Sequence, residues 1–462
     1  MTDHALRPRS ATVPCQSAWP IVLAGFGAAI LVGLGLAVNL RIGLGALVVL
    51  VYAPVALLNL AVGALIWIPL AFLERLPPLG LGVTTILIVF AVAWLGALPP
   101  RRAIVTRVLR EHRGLFALVA LTVLWVTLSL LWAVDATIAR DTALQWLRVA
   151  VIFLLISTSV VSERYAKLAC AAFVVGAVLS VVVGLVPGAT AAFDTTADEA
   201  GRLGGGLGDP NYLAAGLVPA LAIATGLIGV TASQPARWAL IGAMTTLAAG
   251  LVATGSRGGL VAAAVGVVAA LLVARGRRLH LGALVVLTVS LIGLWLSTSS
   301  PQTWDRIRDF ETDTGRQDLW QVAWKMSEDN LVAGVGAGNF ETRAATYVRE
   351  PGQIERADLI LDNPHVAHNV YLQQLAETGV IGLALLLGLL GAALRSCWVA
   401  ALRFDARGDP ATAALARALM VAQVSALAAS IFLSNGSDTR LWILLALGPA
   451  LASASGRRVI ER

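Results

Sequence analysis

Charged side chains are scarce in this sequence. Asp, Glu, Lys and Arg make up 13% of its 462 residues, whereas a soluble domain of this size carries about a quarter. The deficit is concentrated in long apolar runs such as Ile42 to Leu73, which holds none of the four. A transmembrane helix needs only about 20 such residues, so many runs of this kind in one chain exclude a soluble fold. Cysteine is also rare. Cys15, Cys170 and Cys397 lie far apart, near or within apolar runs, which excludes a disulfide framework and a cysteine-based metal site. No Asp-x-Asp pair of the kind that holds a metal for nucleotide-sugar transfer occurs, and no internal repeat or low-complexity tract is found.

The charge that is present is arranged by sign. The net charge is +7, and the basic residues cluster in short segments between apolar runs: Arg101 to Arg113, Arg164 to Lys167, Arg275 to Arg278, Arg395 to Arg407 and Arg457 to Arg462. This is the positive-inside pattern, which marks such segments as cytoplasmic. A nucleic-acid surface would instead interleave arginines with aromatics on one face, so no nucleic-acid partner is expected. The stretch Trp19 to Val38 is longer than a signal-peptide core and no clear small-x-small site follows it, so it reads as a retained span.

Working outward from the basic segments predicts spans at 20–38, 43–73, 79–98, 114–133, 144–161, 168–186 and 211–230. Further spans follow at 237–254, 259–274, 281–298, 379–394, 412–433 and 440–454. The run 43–73 is long for one helix and tight for two, and Pro54, Asn59 and Gly63 permit a break there. Two short passes bring the N-terminus inside. The expectation is an all-α polytopic membrane protein with about 12–14 transmembrane helices. It divides into an N-terminal bundle (1–298), a large, partly helical outer loop with amphipathic helices (299–378) and C-terminal transmembrane helices (379–462). That loop is the one long polar stretch. Between Ser299 and Ala367 it holds 12 of the 27 acidic residues, and a loop of this length in a compact protein is usually functional. Leu319, Trp320, Ala323 and Trp324 recur at helical spacing, with Thr314 as a possible cap.

Four features fall on the outer face by this topology. In Arg202-Leu-Gly-Gly-Gly-Leu-Gly-Asp209-Pro210-Asn211-Tyr212, Asp209 and Pro210 read as a helix N-cap and first position, while Arg202 places a cation at the membrane surface. In Thr254-Gly-Ser256-Arg257-Gly-Gly259, Ser256 can cap the following helix, whose N-terminus favours an anion. Arg257 adds a fork suited to phosphate, although an arginine here can also snorkel to headgroups. Gly315-Arg316 sets a cation against a helix dipole, which calls for a reason: a pair with Asp313 or Asp318, or a ligand.

The fourth feature runs from His365 through His368, Asn369, Tyr371 and Glu377 into a span. His368 reads as a general base, as half of a metal site with no further ligands in view, or as a structural histidine. Glu377 is nine residues on, near the opposite helix face, and is a poor partner for His368. Gly334-Val-Gly336-Ala-Gly338-Asn339 looks like a dinucleotide fingerprint, but it lacks the strand–turn–helix context and its third glycine comes too early. Three arginines and a histidine on one outer surface describe a site for a phosphorylated, lipid-anchored donor, with arginines neutralising a pyrophosphate leaving group and no metal called for.

These residues also carry a family resemblance. Gly208-Asp209-Pro210-Asn211-Tyr212-Leu-Ala, Thr254-Gly-Ser256-Arg257-Gly-Gly259, Gly315-Arg316-x-x-Leu-Trp320, Gly336-x-Gly338-Asn339-Phe340 and His368-Asn369-x-Tyr371-Leu-Gln373-x-Leu-x-Glu377-x-Gly379 resemble, in this order, the O-antigen ligase and O-antigen polymerase family. The similarity runs roughly over residues 130–400. It implies a GT-C-like, metal-independent glycosyltransferase, without cofactor, in the bacterial inner membrane with its site facing the periplasm. The donor is a glycan on undecaprenyl pyrophosphate. The acceptor is lipid A–core in a ligase or another lipid-linked glycan in a polymerase. By the resemblance Arg257 and Arg316 bind pyrophosphate with Arg202 as a third, His368 is catalytic, and Asn369, Tyr371, Ser256 and Asn211 support them. Ligase is preferred because there is a single large outer loop and the second, 187–210, is short. A transporter or flippase of lipid-linked sugars would instead carry polar residues along several spans, which here are rich in Ala, Val, Leu and Gly.

Overall fold

A computed structural model describes residues 40–76, 79–186, 201–273, 315–348 and 365–456. The expected spans at 20–38 and 281–298, and the cap at Thr314, lie outside them. The described residues are helical with no strand. In chain order the helices are α1 (Leu40–Leu58), α2 (Leu60–Leu70), α3 (Leu79–Gly96), α4 (Leu98–Glu111) and α5 (Arg113–Leu128). Then come α6 (Ala136–Ser159), α7 (Glu163–Leu185), α8 (Pro210–Val230), α9 (Gln234–Ala253) and α10 (Arg257–Val273). The polar loop contributes α11 (Arg316–Asp329) and α12 (Phe340–Val348), and α13 (Val370–Ala406), α14 (Pro410–Ala429) and α15 (Thr439–Ser455) close the chain. Seven helices among the described residues are long and apolar enough to cross a membrane. The protein is an all-α, multi-pass membrane protein, as its hydropathy predicts.

The run 43–73 is two helices. Asn59 breaks it and caps α2, its side chain accepting from the amides of Ala61 and Val62 at 3.1 and 3.3 Å. The Tyr52 hydroxyl donates to the Gly63 carbonyl at 2.9 Å, folding α1 back along α2. The basic segment at 101–113 is itself mostly helical. Pro99 and Pro100 occupy the first turn of α4, a position that tolerates a missing amide. There the chain turns by 94° out of α3. With Arg101, Arg102, Arg107 and Arg110 on it, α4 has the composition of a helix lying at a membrane surface.

The helix α15 forms the central column. Every residue from Thr439 to Ser455 is buried, and a helix that is apolar all round belongs inside a bundle. Trp442 meets Trp146 and Phe153 edge-on, with ring centroids 5.9 and 6.1 Å apart. Antiparallel connections bring the ends of α5, α7, α9 and α14 together with the starts of α6, α8, α10, α13 and α15. This end of the bundle holds all four sequence features described above. At the other end Arg403 pairs with Glu111, Arg417 pairs with Asp405, and Lys167 pairs with Glu163.

Candidate functional site

The first two features fold into one unit. Asp209 caps α8, accepting from the amides of Asn211 (2.7 Å) and Tyr212 (3.1 Å), with Pro210 next in the chain. Ser256 caps α10 by accepting from the Gly259 amide at 3.2 Å. Asn211 joins them: its side-chain oxygen accepts from Ser256 Oγ at 2.8 Å and from Arg202 Nη2 at 3.0 Å. Arg202 Nε also donates to the Thr254 carbonyl at 2.8 Å. Arg202 is therefore aimed by the turn that carries Arg257. A guanidinium held by two acceptors loses little further freedom on meeting an anion.

The helix α11 starts at Arg316, with Gly315 at its N-cap in the left-handed region (φ 69°). The Arg316 guanidinium is half-buried. Burial and the positive charges of Arg202 and Arg257 push its pKa down, against the Asp209 carboxylate. An arginine stays protonated regardless. The direction places the positive charges of Arg202 and Arg257 close enough to Arg316 to act on its guanidinium. Among the described residues the Asp209 carboxylate is the anion acting on Arg316, and it is already engaged with two amides of its own helix.

His368 stands beside this cluster. It is the one described residue other than glycine with positive φ (47°). Such a conformation is uncommon in non-glycine residues, though histidine is among those enriched there, and it is often kept where function needs it. Asn369 follows as the N-cap of α13, accepting from the amides of Tyr371 (3.0 Å) and Leu372 (3.1 Å), so the turn that holds His368 is fixed by its neighbour. Burial first, then the Arg316 charge, lowers the His368 pKa to about 4, with Asp209 opposing. Its Nδ1 is buried with no hydrogen-bond partner among the described residues. The imidazole is thus neutral at physiological pH, as a proton acceptor must be, but weaker as a base than free imidazole. The His365 and His368 rings lie 6.4 Å apart.

Tyr371 is placed differently from the arginines. Its hydroxyl donates to the Leu427 carbonyl at 2.9 Å, tying α13 to α14. Glu377 also faces away from His368. Its carboxylate accepts from the Gly338 amide (2.7 Å) and from Gln373 (2.8 Å).

This places the glycine-rich turn 334–339. It is a structural interlock, threaded between α13 and the α5–α6 junction. Val335 and Gly336 donate their amides to Ala376 and Glu377, at 3.0 and 2.8 Å. On the other side the Asp135 amide donates to Asn339 at 2.6 Å, and the Ala337 amide donates to Ser129 at 3.0 Å. The backbones meet so closely that a Cβ on Gly334 would strike Glu377, and one on Gly379 would strike the Val332 carbonyl. Gly379 has φ 69°, ψ −173° and marks a kink in α13. Gly379→Ala is expected to be strongly destabilising. Positive φ with extended ψ is a conformation essentially reserved for glycine and costs another residue about 1–3 kcal/mol, and the overlap is with backbone that has no rotamer to yield. Thermal unfolding in detergent checks this against Gly391→Ala, where nothing lies within 4 Å of the added methyl.

The arrangement offers an anion three guanidiniums at one surface, next to a neutral imidazole at the start of a span. Sequence reading missed the joining role of Asn211, because nothing local marks an asparagine as the acceptor for an arginine nine positions away and a serine 45 positions away. No curated protein matches the chain as a relative. A family model described as O-antigen ligase matches residues 242–387. That stretch takes in Arg257, Arg316 and His368, while Arg202 and Asn211 precede it. The match supports an activity of O-antigen ligase or polymerase type, and it bears out, over residues 242–387, the resemblance of this chain to the O-antigen ligase family.

Proposed function

We propose that this protein is an O-antigen ligase: it moves a polysaccharide from undecaprenyl pyrophosphate to lipid A–core, at the periplasmic face of the bacterial inner membrane and without a metal ion. The observation that carries the reading is the convergence of Arg202, Arg257 and Arg316, with the charges of the first two acting on the third, beside His368. An anion placed among them would relieve the repulsion at Arg316. Three guanidiniums at one surface, that of Arg202 already held by Thr254 and Asn211, would supply the stabilisation that a leaving pyrophosphate requires.

In the step itself, the acceptor hydroxyl oxygen forms a bond to the anomeric carbon. The bond from that carbon to the pyrophosphate oxygen breaks, and its electron pair leaves with undecaprenyl pyrophosphate. The hydroxyl proton passes to His368. The arginines compensate the charge gathered on the leaving oxygen, and the membrane-anchored donor needs no soluble nucleotide.

Reconstitution of the purified protein with a lipid-linked oligosaccharide tests the reading. With lipid A–core present, a glycan-bearing lipid A–core is expected, and EDTA should leave the rate unchanged. Chain growth without lipid A–core would make the protein a polymerase instead. Absence of both products would remove the glycosyltransferase reading, and inhibition by EDTA reversed by a divalent ion would overturn the metal-free mechanism.

A further inference from the structure

The turn that follows α11 exposes apolar side chains: Leu331 is 55% and Val332 60% accessible, and Trp324 on the preceding helix is 54% accessible. In a loop bathed by water this would be an unexplained patch. Its position supplies the reason. The Val380 amide donates to the Leu331 carbonyl at 2.8 Å, and Trp132 Nε1 donates to the Ala333 carbonyl at 3.1 Å. Trp125 Nε1 donates to the Thr378 carbonyl at 2.8 Å. The turn is therefore level with the outer end of α5 and with the kink of α13.

The span that includes α5, Arg113–Leu131, has 19 residues. At 1.5 Å per residue it is about 28 Å long, close to the roughly 30 Å hydrocarbon thickness of a bilayer. Its outer end thus sits at the hydrocarbon boundary. Leu131 there is 82% accessible, and Val380 on the first turn after the kink is 45% accessible. The rings of Trp125 and Trp132, 5.5 Å apart and tilted to one another, stand at this level, as interfacial aromatics do. Leu331 and Val332, tied to Val380 by the Leu331 carbonyl, add two more exposed apolar side chains at this level.

We propose that residues 331–332 form a wedge immersed in the membrane leaflet on the site's side, so that the bilayer itself is the partner of this surface. The wedge fixes the C-terminal end of α11, and the 14 residues of that helix span about 21 Å back to Arg316. The height of the Arg316 guanidinium over the membrane is then set by lipid contact as well as by protein packing.

The test places an environment-sensitive fluorophore on Leu331→Cys or Val332→Cys, with Gln321→Cys on the exposed side of α11 as comparison. Cys15 is replaced by Ala, and Cys170 and Cys397, both buried, are left in place. The labelled positions are exposed, so cysteine leaves the core intact. In phosphatidylethanolamine–phosphatidylglycerol vesicles, blue-shifted emission quenched by acyl-chain nitroxide lipid is expected at 331 and 332 but not at 321. Emission at 331 and 332 matching that at 321 overturns the proposal. So does a blue shift insensitive to the nitroxide, which would mean that protein covers the patch. The readout is position alone, so it stands or falls independently of the transferase reading.

Discussion

Replacing His368 by asparagine is expected to lower kcat for glycan transfer by about 10²–10⁴-fold, the range that a positioned general base contributes. Asparagine is the informative choice because it also tolerates positive φ, so the strained turn before Asn369 is kept while the imidazole is lost. His368→Ala should show the same loss with an added cost in stability. Donor binding and membrane insertion should survive in both, since Asn369 and the caps of α8 and α10 are untouched. An asparagine variant with full turnover would remove the general-base role. The pH dependence sharpens the test. In the free protein, burial and Arg316 hold the imidazole near 4, so it is neutral above that pH and protonated below it. A bound pyrophosphate brings negative charge next to Arg316 and cancels the second of these causes, raising the pKa. The acid limb of kcat/KM, which reports the free enzyme, should then lie at lower pH than the acid limb of kcat, which reports the bound state. Coincident limbs would mean that the anion and the imidazole do not interact.

How far these residues could be read in advance follows from the range of the interactions involved. Asp209, Pro210 and Ser256 were legible because a cap joins a side chain to amides two or three positions on. The break at Asn59 was legible for the same reason. The spans were legible from apolar runs, and the helices that bound the site end fall within a few residues of expectation, apart from α6 and α13, which begin about two turns early and carry polar residues there. The right-angle turn into α4 was not visible, since paired prolines allow a helix start as well as a stop. The interlock of Gly334 and Gly379 lay beyond reach, because two glycines 45 positions apart announce no shared contact. Their close approach also explains why the 334–339 pattern mimics a nucleotide loop: both need backbone bare of Cβ, one to admit a phosphate and the other to admit another backbone. The low basicity of His368 was hidden too, since it depends on burial and on a cation from α11.

Arg316→Gln should separate function from stability. A positive side chain at a helix N-terminus opposes the dipole by about 0.3–1 kcal/mol, and Arg316 adds repulsion from Arg202 and Arg257. Removing its charge while keeping an amide of similar reach should leave the fold as stable or slightly more so, seen as an unchanged or raised Tm in detergent. Transfer should fall by about 10²-fold or more, as when one preorganised donor to a developing anion is removed. Lysine at 316 or at 257 should recover only part of this, because an ammonium is a point charge and cannot make the paired contacts of a guanidinium fork. The split between constants locates the effect. If the arginine acts mainly on the leaving oxygen, kcat falls and the donor KM changes little; if it holds donor and transition state alike, KM rises. A glutamine variant that loses Tm along with activity would show the opposite of what the charge arrangement implies. Arg316 would then be held by the fold for its packing, and the case for an anion at this site would rest on Arg202 and Arg257 alone.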